Sequence, residues 1–498
     1  MNTPLRRVGL AMLGMIILLL ANATYIQIVK ADAYRKDGRN QRVLLEEYAR
    51  ERGKILARLP NNQVQVLATV TPTNDRLRYL RQYTGGPMYA PVTGYYSVRY
   101  GASMLERSED EILNGSDDRL FVRRLSDLIT GRDPRGGNVE TTINPMAQQA
   151  AYEAMEKQGF AGSVVALDPK TGAILAMVST PSYDPNPLSA HDPDVQEKAW
   201  GGYRNDPRKA LLNRAISETY PPGSTFKLVV AAGALEDGKT KDDQVTATDR
   251  LQVGGSELRN YNRGFCDNSQ TTVTMQRALA LSCNTAFAQL AYDLGEEKFV
   301  EQAAKFGIGE MDLSVPMDVT RSCVGPSKNN SCMAIGDKAA LYQSGIGQRD
   351  VRLSPMQNAE IVATIANGGE RMRPQLVRSV LAPDLSEISS FDTDSLGRAM
   401  SRSNAGQLRD MMIESESKTG GDGKRDGLTI ASKTGTAETG VDSKNTPPFA
   451  WYVAFAPAED PKIAVAVVVE SRDVAATGGK LSASIGRATI NAVLSGGN

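Results

Sequence analysis

Histidine is almost missing from this chain of 498 residues; there is one, His191. A Ser-His-Asp triad or a multi-histidine metal site would have to rest on it. It stands in Ser189-Ala190-His191-Asp192-Pro193, a turn-like stretch that reads as a surface loop. Hydrolytic or transfer chemistry therefore needs a different base. An excess of one charge is lacking too. Lys+Arg and Asp+Glu each number 57, and the zero balance argues against a nucleic-acid protein, which would carry a basic surplus. Cysteine is scarce. Four residues without C-x-x-C spacing are too few for a disulfide scaffold, and the even number fits two disulfides in an oxidising compartment or four inert thiols. No internal repeat is present. What remains is an ordinary globular composition, with 41% hydrophobic residues besides 45 glycines, so a core can be built and wholesale disorder is excluded. The length predicts two or three domains.

Long apolar runs are limited to one. Val8 to Val29 carries no charge and follows Arg6 and Arg7. Its 22 residues exceed the roughly 20 needed to span a bilayer, so it reads as a retained anchor. Ala21-Asn22-Ala23 resembles a small-residue cleavage site, which leaves a signal peptide as the alternative. Lys30, Arg35, Lys36, Arg39 and Arg42 follow the run, but flanking charge does not orient a long domain, so it leaves the side open.

From Lys30 to Asn144 the pattern is mixed, with turn punctuation at Pro60-Asn61-Asn62, Gly85-Gly86-Pro87 and Gly131 to Gly137. It predicts a small, irregular α+β region. A helix follows over Pro145–Gly159. Gly162–Leu167 and Ala173–Val178 then form a hairpin about Asp168-Pro169-Lys170-Thr171-Gly172. Further strands are predicted at Leu428–Ser432, Trp451–Ala456 and Lys462–Glu470, the last apolar throughout and hence central. Helices are predicted at Ser224–Glu236, Thr274–Gly295 and Pro355–Asn367, and a flexible loop at Glu414–Gly427.

Three short patterns carry chemistry. Ser224-Thr225-Phe226-Lys227 follows Tyr220-Pro221-Pro222-Gly223, which ends the preceding segment and leaves Ser224 at a helix start. Residues i and i+3 share a helix face, so the hydroxyl and the amine can meet, and a neutral lysine can take the serine proton. Ser282-Cys283-Asn284 lies in a predicted helix; its Ser and Asn would point about 200° apart in a regular helix, so the chain must turn there. Lys433-Thr434-Gly435-Thr436 offers an amine, hydroxyls and a glycine that permits close approach to a substrate backbone. Each pattern recurs by chance: Ser415-Glu416-Ser417-Lys418; Ser327-Lys328-Asn329 and Ser443-Lys444-Asn445; Lys170-Thr171-Gly172 and Lys418-Thr419-Gly420. The ordered set in fitting local contexts is what is specific. Two amines converging on one pocket should lower at least one pKa.

In that order the three patterns are the elements of serine penicillin-recognising enzymes. The stretches Gly162–Asn186, Asn213–Lys227, Ile346-Gly347-Gln348, Leu353–Gln357 and Ile365–Gly369 extend the resemblance from about Gly137 to Arg487, about 70% of the chain. The whole is similar to a class B penicillin-binding protein, and within that class to the PbpA type of actinobacteria. The resemblance implies an α+β penicillin-binding/β-lactamase-like transpeptidase domain, an antiparallel sheet flanked by helices, over 151–498. Before it come a cytoplasmic tail (1–7), a transmembrane anchor (8–29) and a non-catalytic pedestal or dimerisation-like domain (30–150).

It also implies roles. Ser224 is the acylated nucleophile and Lys227 its general base; Ser282 relays the proton to the leaving amine; Asn284 orients the donor peptide and steadies Lys227. Lys433, Thr434 and Thr436 bind the terminal carboxylate beside Gly435, and the backbone N–H groups of Ser224 and Thr436 form an oxyanion hole. The implied reaction is cross-linking of peptidoglycan stem peptides at D-Ala-D-Ala onto an acceptor amine, by a β-lactam target that needs no metal or organic cofactor. The catalytic part then lies on the extracytoplasmic side of the membrane, within a cell-wall synthesis or division complex. A D,D-carboxypeptidase or β-lactamase would use the same motifs. A non-catalytic β-lactam sensor or division scaffold is the reading from another class. The family's acidic residue after Arg-Gly-x-Ile is missing, since Arg52-Gly53-Lys54-Ile55 runs into Leu56-Ala57-Arg58. On the exported side, Cys323 can pair with Cys332 and Cys266 with Cys283, or Cys283 stays a buried thiol. Mass measurement of the native protein with and without reductant decides this: two disulfides predict a gain of four hydrogens on reduction, and four free thiols predict none.

Overall fold

The computed structural model describes residues 2–30, 48–59, 61–121, 129–131, 135–261, 264–311, 313, 315–329, 331–438 and 445–496. Arg35, Lys36, Arg39, Arg42, Pro60, part of the Gly131–Gly137 turn and the Ser443-Lys444 pair lie outside them. Asn2–Thr24 is one α-helix, continued by a wider turn over Tyr25–Val29. Within it Arg6–Val29 is long and apolar enough to cross a membrane, and none of that stretch is buried against the rest of the protein.

Beyond it the chain builds two sheets. The first has six strands in the order Glu387–Ser390, Val377–Leu381, Asn138–Thr141, Ile55–Arg58, Val64–Pro72, Tyr79–Tyr83. Ile55–Arg58 pairs parallel with Asn138–Thr141 and antiparallel with Val64–Pro72. Two of its strands thus come from residues 377–390, far along the chain. The irregular pattern before Asn144 follows from this: the sheet is completed by sequence from elsewhere. Arg52, in the motif that lacks the family's acidic residue after Ile55, pairs with Glu106 and Asp110, each at 2.7 Å. Arg81 joins the same Glu106 at 2.6 Å.

The second sheet has five antiparallel strands in the order Ala431–Ala437, Phe449–Ala456, Ile463–Glu470, Ala161–Leu167, Ile174–Thr180. The continuously apolar Ile463–Glu470 is the central one, because it is covered on both faces. Side chains alternate along a strand. Ile463, Val465, Val467 and Val469 face a core shared with the helices Pro145–Lys157 and Ala483–Ser495, while Ala464 and Ala466 face the core that holds Lys227–Glu236 and Pro355–Ala366. Pro145–Lys157 starts where expected: Asn144 accepts from the N–H groups of Met146 and Ala147, and Pro145 fills the first position, which has no intrahelical donor to lose.

Four expectations need correction. The strand placed at Leu428–Ser432 begins at Ala431 and runs through the Lys433 motif itself, because pairing with Phe449–Ala456 starts there. The loop placed at Glu414–Gly427 is helical up to Lys418. Its Glu416 enters the core, where it accepts from Arg487 Nε at 2.8 Å, Tyr452 at 3.2 Å and Ser432. The Arg487 guanidinium also donates to the carbonyls of Gly420, Gly421 and Asp422 at 3.0, 2.7 and 3.0 Å. Thr274–Gly295 splits into Met275–Ala280 and Asn284–Lys305, and the latter bends at Gly295, whose φ is 77°. His191 lies on a loop, as expected, but not a free one: its ring is largely covered and faces Asp75 and the Tyr79 carbonyl.

Arg487 and Glu416 are both buried, so removing one leaves the other charge without a partner in a dry core. Arg487→Met is expected to cost about 3–5 kcal/mol of folding stability, and Glu416→Gln added to it recovers part of that loss. Equilibrium unfolding of the two variants checks this.

Candidate active site

Ser224 lies in a 3₁₀ turn, Gly223–Phe226, that runs into the helix Lys227–Glu236. At three residues per turn, positions 224 and 227 stack above one another. The turn is held by backbone. Gly223 N–H donates to Gly347 O at 2.9 Å, and Tyr220 exchanges two 2.9 Å hydrogen bonds with Leu353. Side chains add to it: Trp451 Nε1 donates to Pro221 O at 2.9 Å, and Tyr220 donates to Glu470, the partner of Arg214, at 2.8 Å. Asn358 Nδ2 reaches Thr225 Oγ1 at 3.1 Å. Gly347, Leu353 and Arg214 stand in stretches that carry the resemblance, but sequence assigned none of these residues the task of holding the turn, because each partner is distant in the chain.

The helix is apolar from Leu228 to Leu235 and packs into the core, so it carries Lys227 inward until no part of it is exposed. Its Nζ donates to Ser282 O at 2.7 Å, to Asn284 Oδ1 at 2.8 Å and to Ser282 Oγ at 3.3 Å. A protonated amine would donate all three; a neutral one donates two and keeps a lone pair, which can accept from the Ser282 hydroxyl or take a proton. Ser224 is half-buried and makes no side-chain hydrogen bond among the described residues, so the expected Ser224–Lys227 meeting is a stacking without a bond.

The Ser282 geometry answers the expectation of a turn. The chain leaves helix at Leu281, Ser282 takes φ +59°, and a new helix starts at Asn284. That break lets the Ser282 hydroxyl and the Asn284 carboxamide face one amine. Asn284 Nδ2 donates to Arg259 O at 3.0 Å, which turns Oδ1 toward Lys227. Between them Cys283 is disulfide-bonded to Cys266, and Cys323 to Cys332, each pair with Cα atoms 5.5 Å apart.

Lys433 reaches the same hydroxyl from the sheet. Its Nζ donates to Ser282 Oγ at 3.0 Å and to Thr434 O at 2.9 Å, and it too is buried. Gly435 serves a contact that sequence did not foresee. A Cβ there would stand 2.8 Å from Pro222 O and 3.0 Å from Thr225 Cγ2, so the strand rests on the nucleophile turn itself. Thr434 and Thr436 stay partly exposed, and Gly478 N–H lies 3.4 Å from Thr436 Oγ1. The other copies of the patterns stand elsewhere. Ser415–Lys418 ends a helix, Lys418–Gly420 follows it, Ser327-Lys328 is an exposed strand, and Lys170–Gly172 is the hairpin turn. No group of three or more metal-binding side chains occurs among the described residues.

Residues 162–491 match the penicillin binding protein transpeptidase domain, and residues 52–139 the penicillin binding protein A dimerisation domain. The chain belongs to the penicillin-binding transpeptidases. It is 52% identical to peptidoglycan D,D-transpeptidase PbpA of Mycolicibacterium smegmatis and 50% identical to that of Mycobacterium tuberculosis, over 100% of each chain. Among solved structures it is similar to the ceftriaxone acyl-enzyme complex of penicillin-binding protein A from M. tuberculosis, with TM-score 0.86 and 50% identity, covering 90% of this chain and 100% of that one. A D,D-transpeptidase domain from Eggerthella lenta follows the same fold at TM-score 0.72 and 29% identity.

In this transpeptidase both lysines are displaced toward neutrality. Burial, then the nearby Lys433 charge, hold Lys227 well below an ordinary lysine. Burial brings Lys433 from 10.5 down to about 7. Between these two values the unfolded chain keeps a proton on Lys433 that the folded protein has released. Stability therefore rises with pH across that window and is lost as pH falls through the folded value. Lys433→Met is expected to flatten the rise between about pH 7 and 10. Denaturant unfolding at several pH values checks it; an unchanged slope would mean that Lys433 keeps its proton in the fold.

Proposed function

We propose that this chain is a peptidoglycan D,D-transpeptidase that works through an acyl-enzyme on Ser224. The activity is the one named for its full-length relatives, and the β-lactam acyl-enzyme complexes of penicillin-binding protein A accord with it. One observation carries the residue roles: two buried lysine amines meet on a single hydroxyl, Ser282 Oγ, at 3.3 and 3.0 Å.

The chemistry follows from that arrangement. Lys227, largely neutral, takes the Ser224 proton as Oγ adds to the carbonyl of the penultimate D-Ala. Negative charge forms on the carbonyl oxygen and is met by the N–H groups of Ser224 and Thr436. The proton passes from Lys227 through the Ser282 hydroxyl to the leaving nitrogen, the C–N bond breaks, and the terminal D-Ala departs with its amine restored. Asn284 keeps the Lys227 amine in line. An acceptor amine then attacks the ester, gives up its proton along the same path, and the new amide frees Ser224. Lys433, Thr434 and Thr436 hold the terminal carboxylate of the donor. An entering carboxylate favours the charged form of Lys433, so substrate raises a pKa that burial lowers in the empty site. No step calls for a metal or an organic cofactor.

The same reading puts Val8–Val29, within the apolar helix, across the cytoplasmic membrane, with residues 1–7 inside, the 30–150 region and the 151–498 domain outside, and the enzyme acting within a cell-wall synthesis or division complex. Its substrates, stem peptides ending in D-Ala-D-Ala, lie on that outer face.

Labelling with a fluorescent penicillin tests the assignment. Wild type is expected to take up one label stably, Ser224→Ala none, and Lys227→Ala to label about 10²–10⁴-fold more slowly. Label on Ser224→Ala would remove the nucleophile, and fast hydrolytic turnover of the label would favour a carboxypeptidase or β-lactamase.

A further inference from the structure

Asn260 follows the short strand Ser256–Arg259 and is 6% exposed. Its carboxamide is saturated. Nδ2 donates to Thr248 O at 2.9 Å and Gly264 O at 3.0 Å. Two carbonyl partners on one end fix that end as nitrogen. The oxygen is therefore turned to the other side, where Oδ1 accepts from Asn284 N at 2.9 Å, Thr285 N at 3.2 Å and Thr285 Oγ1 at 3.4 Å.

Those two N–H groups open the helix Asn284–Lys305 and have no partner within it. The residue in the capping position is Cys283, whose sulfur is committed to Cys266 and makes no capping hydrogen bond. Asn260 does what a capping side chain does, from 24 residues upstream. The residue it caps is the one that holds Lys227. Arg259 O fixes the Asn284 side chain, Asn260 fixes the Asn284 backbone, and the carboxamide so placed reaches Lys227 Nζ at 2.8 Å. We propose that Asn260 is a positioning residue of the acylation centre: by capping the Asn284 helix from outside, it sets the place of the carboxamide that aligns Lys227. This rests on the reading of Lys227 as the base.

A purely structural cap would change stability and leave the base untouched, so the test reads the base. Full-length protein in detergent is acylated with a fluorescent penicillin from about pH 6 to about pH 10, where the acid limb of the rate reports loss of the proton from Lys227. Asn260→Asp keeps an oxygen before both N–H groups, exchanges the Nδ2 donor to the Thr248 and Gly264 carbonyls for a second oxygen, which costs stability, and adds a negative charge one residue from the Lys227 contact. That charge favours protonated Lys227, and the acid limb is expected to move to higher pH by about one unit. Asn260→Ala removes the cap, frees Asn284 to shift, and is expected to slow acylation about tenfold to a hundredfold at the optimum. Thermal unfolding runs beside both.

A limb that keeps its wild-type position in Asn260→Asp, or a wild-type rate in a folded Asn260→Ala, overturns the proposal, whatever happens to the melting temperature. If Asn260→Ala does not fold, the Asp variant decides alone. Lys227→Ala separates this failure from that of the underlying reading. If it acylates as fast as wild type, the base assignment falls; if it is slow while both Asn260 variants match wild type, only the role of Asn260 falls.

Discussion

Two buried amines compete for one hydroxyl on a partly exposed serine, and the surrounding structure holds them there. In water both would carry charge and move apart. Burial removes that option for each, and the proximity of Lys433 removes it further for Lys227. A chain with a single histidine thereby obtains a basic nitrogen near neutral pH from a residue type that is ordinarily a cation. The arrangement also explains why the lysine sits at the head of a helix with no polar residue from Leu228 to Leu235. A more polar helix would admit water and return the proton.

Convergence depends on backbone meeting backbone. The nucleophile turn is pressed between two segments that both lack a side chain at the contact. A Cβ on Gly347 would stand 2.1 Å from Gly223 O, and one on Gly435 would stand 2.8 Å from Pro222 O. The Lys433 strand is also an edge strand, with Phe449–Ala456 on one side only. Among the described residues its other edge is unpaired and Thr434 and Thr436 are partly exposed; an unpaired strand edge is suited to receive an extended peptide. Ser432 ties the strand to the buried Glu416–Arg487 pair, so the Lys433 motif is joined to a charge contact in the core.

What was legible in the sequence was whatever is local. The hairpin after Pro145–Lys157, the central strand and the three motifs each announce themselves within a dozen residues, through alternation, turn residues or helix punctuation. The need for a break at Ser282 was also readable, since Ser and Asn one residue apart cannot face one amine from a regular helix. What stayed hidden depends on pairs far apart. Glu416 looks like loop charge until Arg487, 71 residues on, reaches it. Asn260 has no local signature, because its partners are a helix end 24 residues downstream and two loop carbonyls. Gly435 was expected to lie close to a substrate backbone; the close approach that the structure shows is to the turn at Pro222–Thr225, which no local signal foretold.

The borrowed pair of strands in the six-stranded sheet has a consequence for timing. Asn138–Thr141 is flanked on one side by Ile55–Arg58 and on the other by Val377–Leu381. A chain emerging amino end first must present more than two hundred further residues before that second neighbour arrives. Until then one edge of the six-stranded sheet stays open, with its backbone donors and acceptors unpaired. The base of the molecule is thus finished late, only after the nucleophile helix and the Ser282 turn have been delivered.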